Sequence, residues 1–429
     1  MNMGSLKGVD IQRGTLGASV LGNADAICGL IATGVPVEAD VQGGIAGIAL
    51  GQTVELHSVK DAEAYGINEA YDATNQLSVY RHVSEFFRMA GEGKTLYLML
   101  YTGAMTAAFG KAYARKMIAD SEGKIRVLGV ANTPAQDAEI TYVNGMPNDV
   151  YESITTAQQF YDWAYGSFRP CQIVLEGRDF NAVSATAALN LRNIEVEGNV
   201  LKAYKVSLCI GQDWKYADTL DAVRRKMADI GTMLGSIASK PVSGNIGEVE
   251  GGSIADVTNG KWLVAGLSDH SKIADRDDDL ESLDEKGYIF AIAYTGIAGF
   301  YWNNDHTCTP IIQDKDGYFN EYTISYGRVH DKAVRDLRTC LLPKVKSTQP
   351  IDAKTGLLPQ SLVTYFERLA DGDVFDKMIA KGLISDGKTT VDANSNLLIS
   401  PRELNVSFVI VPMGQIDEIK GVINLKTSI

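Results

Sequence analysis

The chain has 429 residues, enough for two or three domains with substantial cores. With 45% hydrophobic and 22% charged residues it has the make-up of an ordinary globular protein, and no apolar run reaches the roughly 18 residues that cross a bilayer as a helix. The balance of 40 basic against 53 acidic residues gives a net charge of −13 without any basic block, which argues against nucleic acid as a partner.

The cysteines, Cys28, Cys171, Cys209, Cys308 and Cys340, are odd in number, dispersed and free of any CxxC. That pattern predicts reduced, buried thiols and an intracellular place of folding. The opening MNMGSLKGVDIQRG holds no apolar core of a secretory signal.

Residues 1–26 are rich in Gly, Ser and Asn, with Val9, Asp10 and Ile11 as the one alternating apolar fragment, and predict an extended arm. Residues 26–33 (AICGLIAT) predict a buried strand ended by Gly34 and Pro36. Residues 43–51 (GGIAGIALG) lack the GxGxxG spacing of a dinucleotide loop and read as a glycine-rich connection or strand edge. Ser58 caps a helix over 59–64, with Asp61 at its third position. Residues 77–90 predict a helix with Val79, Val83, Phe86 and Phe87 on one face, stopped by Gly91 and Gly93. A buried strand over 95–101 follows. Beyond it the pattern predicts a helix over 104–119, a strand over 124–131, a helix over 151–165, strands over 171–176 and 203–210, and one long helix over 219–238. This alternation implies a mainly parallel sheet covered by helices.

Residues 243–260 read as a loop and 275–285 (DRDDDLESLDE) as an acidic surface turn. An apolar strand over 288–294, a turn at Asn303-Asn304-Asp305 and a second strand over 321–326 lead through Gly327 into a helix from 328 to about 345. Val329, Ala333, Val334 and Leu337 share one face of that helix, and Arg328, Lys332, Arg335 and Arg338 form a basic stripe on another. Helices over 357–370 and 374–381, a strand within 396–412 and a last strand over 419–425 complete the chain. That last strand is formed by Ile419, Gly421, Val422, Ile423 and Leu425 with their neighbours.

No complete catalytic, cofactor or metal motif emerges. Gly91-Glu92-Gly93-Lys94-Thr95 resembles the end of a phosphate loop, but Arg88 stands where its first glycine belongs, and a helix precedes where one should follow. A helix cap explains Gly91 better. Asp275, Asp277 and Asp279 alternate as in a calcium loop, yet Leu280 replaces its glycine and Lys286 its last ligand. His306 and Cys308 stand near Asp305, while His57, His82, His270 and His330 are scattered, without HxH, HExxH or GxSxG.

Two long stretches carry a family resemblance. GYIFAIAYTGIAGFYWNNDHTCTP followed by ISYGRVHDKAVRDLR resembles the C-terminal part of contractile tail sheath proteins. Those proteins form the helical outer tubes of bacteriophages and phage-like injection systems, and the likeness is greatest to Mu-like phages and their relatives in Bacteroidetes. AICGLIATGVPVE, HSVKDAEAYGI and YRHVSEFFRMAGEGKTLYLML resemble the start of the sheath middle domain.

The resemblance implies a two-domain α/β sheath fold. Residues 1–26 form an N-terminal arm joined to the inner domain, 27–286 the outer α/β domain, 287–417 an α+β inner domain and 418–429 a C-terminal strand arm. It implies a structural, non-enzymatic subunit that polymerises helically around an inner tail tube and contracts to drive it through a target envelope, without cofactor, metal, nucleic acid or membrane. Its partners would be further copies of itself, the tube protein, and baseplate and terminator proteins. It would be assembled in the bacterial cytoplasm and reside in a virion tail or phage-like particle. Both arms, through Val9 to Ile11 and Ile419 to Leu425, would be exchanged between subunits, and the basic stripe or the helix over 357–370 would meet the tube or a neighbour. The alternative is an α/β enzyme with a small ligand, supported by fold class alone. Size separates the two: tubes for a sheath, a small closed oligomer for an enzyme.

Overall fold

Strands that read as unbroken apolar runs are those buried on both faces of a sheet. In the computed structural model, which describes residues 24–399 and 402–426, these runs build the centre of the molecule. In chain order, β1 (Cys28–Thr33) and β2 (Val54–Leu56) precede helices α1 (Val59–Ala64), α2 (Glu69–Asn75) and α3 (Val79–Ala90). Then come β3 (Leu96–Tyr101), α4 (Ala114–Asp120), β4 (Val127–Ala131), a small hairpin of β5 (Tyr142–Val143) and β6 (Met146–Pro147), α5 (Asn148–Gly166) and β7 (Gln172–Glu176). A second hairpin, β8 (Glu195–Val196) with β9 (Asn199–Val200), leads to β10 (Val206–Cys209), β11 (Gly211–Asp213), α6 (Trp214–Ala217) and α7 (Ile230–Ser239). They are followed by β12 (Ala265–Leu267), α8 (Asp277–Glu285), β13 (Ala291–Ile292), β14 (Tyr301–Trp302), α9 (Ile324–Leu341), α10 (Gln360–Ala370), α11 (Asp376–Ala380), β15 (Ile384–Val391) and β16 (Val406–Pro412).

The main sheet runs β10-β7-β4-β1-β3-β2, with every strand parallel to its neighbour except the edge strand β2. Helices cover both of its faces. Gly29 pairs with Leu128 and Leu30 with Gly129, so the two glycines look to opposite sides. A Cβ on Gly29 would come within 3.0 Å of Met117 on α4, and one on Gly129 within 2.4 Å of Leu234 on α7. On the α7 side, α3 lies so close that a Cβ on Gly231 would sit 2.2 Å from the His82 carbonyl oxygen. This is a mixed α/β fold with a mostly parallel sheet and flanking helices.

The large core runs from Ala26 to Ile324. Two smaller cores hold the carboxy-terminal body: Val329, Ala333 and Leu337 of α9 pack with Phe375 and Ile384, while Leu362 and Phe366 of α10 pack with Val391.

Several expectations change. The span 219–238 is not one helix. The chain extends at Met227 so that the Ala228 N–H reaches Glu176 (3.0 Å) and the buried Asp229 carboxylate can accept from the Asp213 N–H (2.7 Å). The acidic run is helix α8, whose first turn places Asp277, Asp278 and Asp279 at the positive end of the helix dipole. The strand expected over 321–326 is instead the entry to α9: Thr323 caps it by accepting from the Tyr326 N–H (3.3 Å), and Gly327 lies inside the helix. Of 288–294, only Ala291 and Ile292 pair with β14. Ile289 runs beside β10, donating to Leu208 O (3.1 Å), so Tyr288 to Phe290 belong to the large core rather than to the carboxy-terminal body. Helix α2 and strand β15 had no expectation behind them.

Candidate assembly surfaces

The carboxy terminus is built outward from α9. Beyond β16, Gln415 is held by a chain of amides: its Nε2 donates to Ser325 Oγ (2.8 Å), and Asn245 Nδ2 donates to Gln415 Oε1 (3.1 Å) and Asn304 Oδ1 (2.7 Å). Past this anchor Ile416, Asp417 and Ile419 border a groove shared with Pro241, Asp284 and Phe290, and the rest of the described tail is exposed. The predicted strand over 419–425 pairs with nothing among the described residues: Ile419 is 85% exposed and Leu425 100%. Gly421, Val422 and Ile423 lie between them. The β15–β16 pair that precedes it in the chain is two-stranded, with Phe408, Val409 and Val411 exposed. Val9, Asp10 and Ile11 lie outside the described residues.

The basic stripe faces mainly inward. Arg328 is buried and donates to the carbonyls of Pro241 (3.2 Å), Lys240 (3.4 Å) and Asp25 (3.5 Å). Lys332 (3.1 Å) and Arg335 (3.2 Å) both pair with the Asp25 carboxylate. Burial alone would raise the Asp25 carboxyl; these two cations outweigh it and hold it below its ordinary value. Three members of the stripe therefore seat the chain at Asp25 on α9. The fourth, Arg338, is exposed and lies 3.4 Å over the centre of the Phe168 ring.

Two buried charge clusters were missed by sequence reasoning. Lys205 is fully buried at the start of β10; its Nζ donates to Asp331 Oδ1 (2.9 Å) and Gly327 O (3.0 Å), and Tyr161 donates its hydroxyl to the same Asp331 oxygen (2.8 Å). Burial pushes the Asp331 carboxyl up, but Lys205 and His330 bring it down to about 2. This cluster fastens α9 to α5 and the edge of the main sheet. The other centres on Arg81, which meets Asp229 (3.0 Å), Asp213 (3.2 Å) and Glu85 (3.2 Å), and holds α3 against β11. Its partners come from three separate segments, so spacing alone does not reveal it.

The sites weighed for chemistry have structural settings. Gly91 caps α3 with φ of 87°, its N–H donating to Phe87 O, and β3 follows. Arg192 donates to His306 Nδ1 (2.8 Å), so Nε2 bears the proton and donates to Asp284 (2.9 Å). Burial pushes the Cys28, Cys171 and Cys308 thiols up to about 12, away from reactive thiolates. Among the described residues no group of three or more His, Cys, Asp or Glu side chains could hold a metal ion, and no helix is long and apolar enough to cross a membrane.

A crevice of about 610 Å³ opens where β1 and β4 end, lined by Thr33, Asn132, Thr133, Asp149 and Arg178. Doubly wound sheets bind ligands at such a point, where neighbouring strands lead off in opposite directions. Here the polar groups answer one another: Asn132 N donates to Glu176 (2.7 Å), Asn132 Nδ2 to Asp149 (3.0 Å) and Arg178 to Asp149 (2.8 Å). The remaining guanidinium nitrogens of Arg178, Nε and Nη1, are buried and make no hydrogen bond among the described residues.

Two family models match the chain: "DUF2586, N-terminal domain" over residues 6–306 and "DUF2586, C-terminal domain" over residues 322–429. The chain belongs to the DUF2586 family. Its structure is similar to a chain in the cryo-EM structure of the anti-feeding prophage (AFP) baseplate, 6-fold symmetrised, with a TM-score of 0.58 at 13% identity over 99% of this chain and 100% of that one. At that identity the likeness is one of fold. No curated protein matches the sequence.

Proposed function

We propose that this protein is the structural subunit of a contractile tail sheath in a phage-like injection system. Subunits polymerise helically around an inner tube and contract to drive it through a target envelope, with baseplate and terminator proteins at the ends. The observation that carries this reading is the tail beyond Gln415: a stretch including Ile419, Val422, Ile423 and Leu425 that leaves the body exposed and unpaired. An apolar segment with free backbone groups is a liability for a lone molecule and a joint for a polymer. The fold shared with a chain of the anti-feeding prophage baseplate supports it, as does the resemblance of the 287–347 stretch to sheath proteins. The tail, and an amino-terminal arm through Val9 to Ile11, would add to a neighbour's sheet edge, β15–β16 offering one. A donated strand of four to six backbone hydrogen bonds at roughly 0.5–1.5 kcal/mol each would hold while the bodies rotate. Joined head to tail, the pairing runs on as a helix where the rotation between copies closes no ring.

The second reading, an enzyme with a small ligand, has the crevice at the ends of β1 and β4 in its favour. Truncation at residue 417 tests the first: the shortened protein should stay folded and monomeric while the full chain builds tubes. Regular tubes from the truncated protein would rule the donated tail out.

A further inference from the structure

We propose that the outer face of α9 and α10 is a docking surface for the acidic face of helix α8 on a second copy of the chain. The inference rests on the assembling subunit described above and names a body-to-body contact distinct from the tail.

The surface is basic and aromatic on a protein of net charge −13. Arg338 stacks on Phe168, and Lys344 Nζ lies 5.3 Å over the ring of Tyr365. The rings stand out, Phe168 at 57% and Tyr365 at 42% exposure, with Leu342 beside them at 52%. One turn further along α10, Arg368 and Tyr365 border a shallow depression. The nearby carboxylates are engaged elsewhere: Asp336 with Lys332, Asp373 with Lys377, and Glu367 with the Val391 N–H. Arg338, Lys344 and Arg368 therefore have no ion pair among the described residues. Arginine and exposed aromatic rings over an apolar base are the composition of interface centres.

Charge selects the occupant. On α8, Asp277, Glu281 and Glu285 recur every four residues and form one exposed stripe, with Asp278 at its end. None of the four is in an ion pair among the described residues. The acids on the helix's other side are engaged: Asp279 with Arg276 and the Ala185 N–H, Asp284 with His306 and Asn303. The stripe from Asp277 to Glu285 spans about 12 Å at the helical rise, long enough to lie across two facing cations. Each copy carries one acidic and one basic face on different elements. Joined head to tail, such contacts extend from copy to copy, closing as a ring or running on as a helix according to the rotation between copies.

Charge exchange in the full-length protein tests this. Arg338→Glu with Lys344→Glu, and separately Asp277→Lys, Glu281→Lys and Glu285→Lys, each set like charges face to face. Each set should raise the concentration at which assembly begins, read by light scattering and negative-stain microscopy, by roughly tenfold or more while circular dichroism melting stays as in wild type. An equimolar mixture of the two variants should assemble again, since every junction then joins opposite charges. Should one set misfold, the other and the pair Lys344→Glu with Arg368→Glu probe the same contact. Wild-type onset in both variants, or two defective variants that remain inert when mixed, overturns the contact and leaves the sheath reading standing. A wild-type protein that never assembles overturns both.

Discussion

At the scale of single residues, the strongest constraint is Lys205 with Asp331. Replacing Asp331 by Asn leaves the buried ammonium with only the more distant Glu321 carboxylate (3.7 Å) as countercharge, a loss toward the lower end of the about 3–5 kcal/mol seen when a buried pair is broken. Urea denaturation at pH 7 checks it; a loss below about 1 kcal/mol would mean that α9 is fastened mainly by apolar contacts. The pH dependence has a defined sign. The folded carboxyl sits at about 2 against an ordinary 3.8, so its contribution is complete above 3.8 and fades as pH falls toward 2. The gap between wild type and Asp331→Asn should narrow over that range. Gly231 marks a second tight point: Gly231→Ala should cost about 1–3 kcal/mol by forcing α7 away from the His82 carbonyl. Neither was legible in the sequence. Lys205 reads as one polar residue in an apolar strand, and its partner lies 126 positions away.

At the scale of elements, what is local was legible. Ser58 caps α1 through the Asp61 N–H (3.2 Å), as the S-x-x-D spacing implies, and the apolar face of α3 faces the core. The unbroken apolar runs became β1, β3, β4 and β7 of a parallel sheet. Readings failed where distant groups compete for the backbone. Asp229 and Glu176 pull the chain straight near 227, and Asp305, whose carbonyl and carboxylate accept from the Ile324 and Ser325 N–H groups, starts α9 earlier than Gly327 suggests. The basic stripe was legible as a pattern, but its orientation depends on Asp25, some 300 residues earlier. Two predictions belong here. Lys94→Ala should leave assembly unchanged, and the protein should show no specific ATP binding by calorimetry; micromolar affinity lost with this lysine would reinstate a phosphate site at Gly91 to Thr95. Deleting residues 418–429 should shift Tm by less than about 2 °C, because the described part of that tail is exposed and unpaired. A large drop would show the tail packing on its own body.

At the scale of the whole molecule, the proposed mechanism needs bodies that move as units and joints that survive the movement. The large core and the carboxy-terminal body share α9, whose Ile324 lies in one core and Val329 in another, and the Lys205–Asp331 pair fastens it. Contraction is then a change between two packings of nearly rigid subunits. In that proposal the tail beyond Gln415 would supply the persistent joint. The most direct test is negative-stain electron microscopy of the purified full-length protein beside the form truncated at residue 417. Long helical tubes from the full chain and folded monomers from the truncated one are the predicted result. A full-length protein that remains a monomer or a small closed oligomer at high concentration would contradict the account.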